Sequence, residues 1–334
     1  VTGMEATFFR IWLFGYPAVA WMTAVASFFQ SVGRPGIPML ASIAANVVNL
    51  VLNLGLVFGL MGLPRMGIAG SALATVIAQW FQALCLHAVF VSSPFNARFK
   101  SRHAYAPDLK RIRELFRIGF FSGLTILMDV MNWAIFTSFV VGYFGDIALA
   151  AHNAALGFMH LCFMPALGVN QGICAIVGQY IGRKDLDTAV ARTYTGVKVA
   201  MIYMVCTGIV FAFFGKGLIQ FFFSGDAGVI ALGHKLLILA ALFQAFDAVN
   251  IIILGALRGA GDTLGVAVII FVFAYFFFLP LSMALAFLAG WGTIGAWIGA
   301  TAYIIVLSAV LYLRFLGGRW KEIKIFSAAP QQIT

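Results

Sequence analysis

Residues 236–263 read LLILAALFQAFDAVNIIILGALRGAGDT. About twenty apolar residues carry one acid near their centre, Asp247. They end at a basic, glycine-rich turn formed by Arg258, Gly259, Gly261 and Asp262. At about 1.5 Å of helical rise each, twenty residues cross the roughly 30 Å of bilayer hydrocarbon. A carboxylate at that depth costs roughly 2.5 kcal/mol or more to insert. It points to an ion or substrate path. The plainer alternative is a protonated acid hydrogen-bonded to Gln244 or Asn250 one turn away.

The rest of the chain is of the same kind. Its 334 residues are 63% hydrophobic and only 10% charged, with a mean hydropathy of +1.01. Soluble domains carry about 25% charged residues, so the composition defines a polytopic membrane protein. Nine apolar spans are predicted, at 8–31, 37–60, 68–92, 115–143, 147–181, 188–214, 230–256, 264–289 and 293–316. All are read as helices, which satisfy their backbone internally in lipid. The alternating ten-residue segments of a barrel are not seen. The span at 147–181 is 35 residues long with Pro165 near its middle, which predicts a tilt or a kink.

A net charge of +10 raises the question of nucleic acid. The basic residues sit in loops between apolar runs and are not interleaved with aromatics, so no nucleic-acid partner is expected. Cys85, Cys162, Cys174 and Cys206 lie inside apolar runs and read as packing residues. Sidedness follows from Lys and Arg. Arg98, Lys100, Arg102, Lys110, Arg111, Arg113 and Arg117 mark a cytoplasmic loop. Arg34, Arg183 with Lys184, Arg258, and the tail residues Arg314, Arg319, Lys321 and Lys324 fall on the same side when nine spans are counted. The opposite side keeps Arg65 and Lys216, with Lys235 near a span end. Residue 1 is then outside and the C-terminus cytoplasmic, in a multi-pass protein of the plasma (inner) membrane.

An internal repeat is legible. SVGRPG at 31–36 and GAGDTLG at 259–265 each close one span and open another. GIAGSALAT at 67–75 and GTIGAWIGAT at 292–301 each open the next. Spans one to three thus resemble spans seven to nine. The last six spans form a block of six, so the first block is expected to have six as well, with three helices ahead of those seen. The opening VTGMEATFF has no initiator Met and no basic leader, and reads as the middle of a protein. Repeats of this kind mean two bundles around a central site.

Eleven acids are present, and only Asp129 and Asp247 lie deep in a span. Both begin a D-x-x-N pattern, Asp129-Val-Met-Asn132 and Asp247-Ala-Val-Asn250. A spacing of three puts carboxylate and amide on one helix face. Such oxygens suit Na⁺, or a proton shared with an amide. Two carboxylates in one dry pocket would also favour proton carriage. We therefore take Asp247, Asp129, Asn250, Asn132 and Gln244 as candidate ion-coupling residues, with Asp247 and Asp129 as metal ligands if the ion is sodium. Asn46, Asn49 and Asn53 form a polar stripe on the second span that either lines a cavity or bonds helices together. Asn153 is a further cavity candidate beside His152. His152 and His160 are expected to be packed or hydrogen-bonded. Lys198 is expected to snorkel to the cytoplasmic surface.

The sequence resembles the multidrug and toxic compound extrusion (MATE) transporters. The residues that carry the resemblance are Gly255-Ala-Leu-Arg-Gly-Ala-Gly-Asp-Thr263, Val177-Gly178-Gln179 with Gly182, Ala150-Ala151-His152-Asn153, Gly292-x-x-Gly295-x-Trp297, and Phe246-Asp247-Ala248. The resemblance implies an all-α fold of twelve helices in two lobes. Residues 1–93 would be the second half of the N-terminal lobe and 94–114 a cytoplasmic linker. Residues 115–320 would be the complete C-terminal lobe and 321–334 a cytoplasmic tail. It implies that the acid of the family's tenth helix falls on Asp247. The acid of its seventh helix, commonly a glutamate, falls on Asp129. The function implied is export of small cationic amphiphilic compounds in exchange for Na⁺ or H⁺, by a monomer in the lipid bilayer without other cofactors.

Two rivals remain. A related flippase for a lipid-linked saccharide needs Arg or Lys for the pyrophosphate, and none clusters at midplane depth. A membrane-embedded enzyme using both aspartates lacks the flanking glycines and tyrosine expected of it. Other enzyme motifs, H-E-x-x-H, G-x-S-x-G and G-x-x-x-x-G-K-[ST], are not found.

Overall fold

The computed structural model describes residues 2–60, 62–103, 108–222 and 226–323. Val1, part of the expected linker (104–107), and most of the expected tail, Lys324 included, lie outside the described residues. All regular structure among the described residues is helical. The helices are α1 (Thr2–Leu13), α2 (Tyr16–Ser31), α3 (Gly36–Phe58), α4 (Ile68–Phe90), α5 (Ser93–Phe99), α6 (Leu109–Ile135), α7 (Asp146–Gly182), α8 (Leu186–Phe222), α9 (Ala227–Gly259), α10 (Thr263–Phe273), α11 (Leu279–Met283) and α12 (Gly292–Leu316).

Eight of the described helical segments are long and apolar enough to cross a membrane. A ninth appears if the α1–α2 pair, bent by 45°, counts as one span. The first predicted span, at 8–31, is therefore broken. Pro17, in the first turn of α2, has no N–H to continue the ladder from α1. Trp80 Nε1 donates instead to the Phe14 carbonyl at the break, at 3.0 Å.

Other boundaries also moved. The fourth span starts at Leu109 rather than 115, so Lys110, Arg111, Arg113 and Arg117 stand on the first turns of α6 and not in a loop. Part of the 94–114 stretch is the short helix α5 followed by a 3₁₀ turn at Ser101–His103. Asp146–Gly182 runs unbroken through Pro165. Three π-helical turns interrupt the later spans. Phe136–Val141 follows α6, and Ala274–Phe278 and Ala284–Leu288 flank α11, which carries Pro280. A π turn is one way a helix absorbs a missing donor or an extra residue.

The chain divides into two compact units, Val1–Asp108 and Leu109–Thr334. In the first, α4 packs against α1, α2 and α3. It meets α3 at a glycine: a Cβ on Gly70 would lie 2.6 Å from the Leu56 carbonyl oxygen.

In the second unit α9 is the hub, packed on α7, α8 and α12. Gly255 and Gly259, four apart on one face, allow α7 to approach. A Cβ on Gly255 would fall 2.7 Å from the Asn170 carbonyl oxygen, and one on Gly259 would fall 2.3 Å from that of Cys174. This is the small-xxx-small contact of membrane helices. Asn170 seals the crossing by donating from Nδ2 to the Ile251 carbonyl. Away from the contacts, large apolar side chains such as Phe213 (79% exposed) and Leu288 (88%) face outward. That is the expected surface of a protein solvated by lipid.

Candidate functional site

The hub position of α9 decides the environment of its acid. Asp247 is only 5% exposed and Gln244, one turn earlier, is fully buried. Asn250 donates from Nδ2 to Asp247 Oδ1 at 3.3 Å, as the D-x-x-N spacing predicts. The other carboxylate oxygen, Asp247 Oδ2, has no hydrogen-bond partner among the described residues. Nor have Asn250 Oδ1 and both amide atoms of Gln244. Buried polar atoms are normally paired. Three unpaired hard oxygens on one stretch of helix form a donor set suited to a small cation or a proton.

Asp129 behaves differently. It is exposed, while Asn132 is fully buried with both amide atoms unpaired among the described residues. No hydrogen bond joins the two among the described residues, so the second D-x-x-N does not repeat the first. Residues three apart are offset by about 60° around a helix. On α6, whose main helix partner is α10, that offset separates an open side from a packed one. Both acids thus lie deep along their helices, but only Asp247 is buried against other helices. The two acids are nonetheless within electrostatic reach of each other, and Asp129 is within reach of Arg258 and His160. Among the described residues no group of three or more His, Cys, Asp or Glu side chains could hold a metal ion. Any bound Na⁺ would therefore depend on amide oxygens as well.

Sequence reasoning missed Tyr303. It lies on α12, 4% exposed, within electrostatic reach of both Asp129 and Asp247. Its ring stacks on Phe278 with centroids 4.9 Å apart. Nothing in its local sequence, ATAYIIVL, marks it. Only the packing of α12 on α9 brings it there.

The remaining candidates scatter. His152 is fully buried and hydrogen-bonded, as expected. Trp297 donates from Nε1 to His152 Nδ1 at 3.2 Å, and His152 Nε2 meets Thr137 Oγ1 at 2.8 Å. Thr137 sits in the π turn after α6, so this triad joins that turn to α7 and α12. His160 is exposed rather than packed, and so are Asn153 and Lys198. In the first unit, Asn53 donates to the Asn49 carbonyl and side-chain oxygens, both at 3.0 Å. Asn49 Nδ2 in turn points at Thr75 Oγ1 of α4 at 3.4 Å. One member of the predicted stripe, Asn49, thus bonds α3 to α4 and is itself held by Asn53, while Asn46 is exposed. The glycine-rich turn after α9 carries the firmest ion pair described. Arg314 grips Asp262 bidentately, Nε to Oδ2 at 2.6 Å and an Nη to Oδ1 at 2.8 Å. Gly265 makes room for it, since a Cβ there would lie 1.8 Å from the guanidinium.

Long apolar helices around a hub that buries a mid-span carboxylate define a polytopic membrane protein of the transporter class. The MatE family model matches residues 124–284. A Listeria monocytogenes protein named "Probable multidrug resistance protein NorM" is 30% identical over 318 residues, covering 94% of this chain and 68% of the relative. A Thermotoga maritima protein of the same name is 28% identical over 316 residues, covering 94% and 67%. Among solved structures, a MATE protein in complex with MaL6 matches with a TM-score of 0.84 at 16% identity, over 95% of this chain and 70% of that one. The eukaryotic MATE transporter AtDTX14 matches with a TM-score of 0.81 at 22% identity, over 94% and 69%. The chain belongs to the MATE family of multidrug transporters, which are not enzymes, and it spans about two thirds of the length of the curated relatives it matches.

Proposed function

We propose that the protein works in secondary active efflux of small cationic amphiphilic compounds, coupled to antiport of Na⁺ or H⁺. Asp247 is the coupling residue, with Asn250 and Gln244 as its partners. Asp129, exposed and within electrostatic reach, is an outer acid that attracts the ion. Asn132 supports the α6 side. The observation that carries this reading is the buried Asp247 carboxylate, held by Asn250 through one oxygen and left open at the other.

A bare carboxylate in this position is costly, and a bound cation or proton removes that cost. Ion occupancy therefore favours one arrangement of the helices around α9 over another, and drug release follows from that shift. Tyr303, joined to the aromatic stack of Phe278, Trp133 and Phe136, is placed to convey the state of Asp247 to α6 and α12. The side with Arg98, Lys100 and Arg102 is cytoplasmic, the membrane is the plasma (inner) membrane, and the protein acts as a monomer.

The test is transport of a fluorescent organic cation in a drug-sensitive bacterial host expressing the protein, under imposed Na⁺ or pH gradients. Efflux driven by one gradient and lost in Asp247→Asn supports the reading and names the ion. Efflux that ignores both gradients overturns it. A well-expressed protein that moves no cation points to the lipid-linked saccharide instead.

A further inference from the structure

The first unit contains a second site whose charge is wrong for the proposed cargo. At the end of the unit where α2 turns into α3, a cavity of about 230 Å³ is lined by Val32, Arg34, Ile37, Pro94, Phe95, Arg98 and Phe99. Among the described residues, two guanidinium groups and no acid border it. The walls are otherwise apolar.

The local sequence explains the shape. Gly33 (φ +76°) and Pro35 turn the chain tightly after α2, which leaves Arg34 exposed on the turn. Pro94 stands in the first turn of α5, and Phe95 and Phe99, four apart, take one face of that short helix. They pack edge-on against α2, Phe95 on Phe29 at 5.1 Å and Phe99 on Phe28 at 5.3 Å. The aromatic contacts fix α5 across the end of α2 and set Arg98 beside the opening. Arg102 secures the segment after α5 by donating from Nε to the Val91 carbonyl at 2.8 Å, and its own N–H bonds to Asn96 Oδ1 at 3.0 Å.

We propose that this cavity holds the phosphate headgroup of an anionic phospholipid. Arg34 and Arg98 take the phosphate oxygens, and Val32, Ile37, Phe95 and Phe99 line the start of the acyl chains. Three considerations converge on that occupant. Guanidinium forks match phosphate geometry. The cavity is smaller than the roughly 300–1,000 Å³ of drug-sized sites and repels cations, so it does not suit the exported compounds. It lies at the basic end of membrane-crossing helices, where such pockets meet acidic headgroups. The proposal rests on the membrane-spanning fold and not on the choice of coupling ion.

Native mass spectrometry of the purified full chain, released from detergent with a defined lipid, tests it. Phosphatidylglycerol should be retained over phosphatidylcholine by roughly thirtyfold, from two cations near one headgroup. The double variant Arg34→Gln, Arg98→Gln should lose that preference, Arg34→Lys with Arg98→Lys should keep part of it, and Arg113→Gln with Arg117→Gln should leave it intact. Thermal melting of each variant in the same detergent establishes that it is folded. Equal retention of both lipids by the parent overturns the proposal. So does a preference that survives the Gln pair, or one removed by the α6 pair alone. A fourth arm adds inorganic phosphate. If millimolar phosphate displaces phosphatidylglycerol completely, the site is one for soluble anions and the lipid assignment fails.

Discussion

The two deep acids begin the same four-residue pattern, on α6 at Asp129 and on α9 at Asp247, and the structure gives them opposite surroundings. Asp247 is 5% exposed and bonded to its asparagine. Asp129 is exposed and its asparagine is turned into the core. The cause lies outside the pattern. α9 is covered by α7, α8 and α12, so a residue deep along it is also deep in protein. α6 leans mainly on α10, so the same depth along the helix leaves a side open. Depth in the bilayer and burial in the protein are separate properties, and only the second forces a carboxylate to take a cation or proton from a specific partner set.

The largest expected effect follows at once. Asp247→Asn should lower gradient-driven efflux by roughly tenfold or more, the scale of a full coupling free energy. Asp129→Asn, by contrast, should change transport less than threefold at saturating ion concentration, read as initial efflux rate in the same cells. Equal losses would erase the contrast between the two acids.

The cover over Asp247 is open to attack separately. Gly259→Leu drives a side chain into the Cys174 carbonyl and should destabilise the second unit by about 1–3 kcal/mol or more, seen as a lower melting temperature in detergent. Arg314→Ala strands the buried Asp262 and should destabilise by about 2 kcal/mol. A double-mutant cycle with Asp262→Asn should recover most of that loss if the ion pair is its source.

A subtler change probes the one bond that distinguishes the two patterns. Asn250→Ala removes the donor to Asp247 Oδ1, a charge-assisted bond of about 1.5–3 kcal/mol. Apparent affinity for the coupling ion should change by about tenfold, while Asn132→Ala should leave it nearly unchanged.

The smallest effect lies outside the spans. Asp185 caps α8 by accepting from the Thr188 N–H at 3.1 Å. The Thr188 side chain and backbone bonds hold its carboxyl below the usual carboxylate value of 3.8. With its folded value depressed, its contribution is present above about pH 4 and fades as pH falls through the folded value. Asp185→Ala should therefore lower the melting temperature slightly at pH 6 and hardly at all at pH 3.

The helices and the importance of Asp247 were legible because both are properties of single segments: an apolar run of spanning length, and one acid inside it. The bond from Asn250 was legible for the same reason, since residues three apart share a helix face. The break at Phe14 and Gly15 was hidden by continuous hydropathy, although Pro17 stood in the sequence as a signal. The exposure of Asp129, the approach of Tyr303 and the grip of Arg314 on Asp262 depend on which helices meet. The last two involve residues 52 to 174 apart in the chain, and no local period records such meetings.

Ion-competed binding of a fluorescent organic cation to the purified protein tests the central claim most directly. The parent should bind the cation and release it as Na⁺ or protons are added, and Asp129→Asn should do the same. Asp247→Asn should bind the cation and keep it across the whole titration. Displacement from Asp247→Asn at the same ion concentration as from the parent would contradict the assignment of the coupling site to α9.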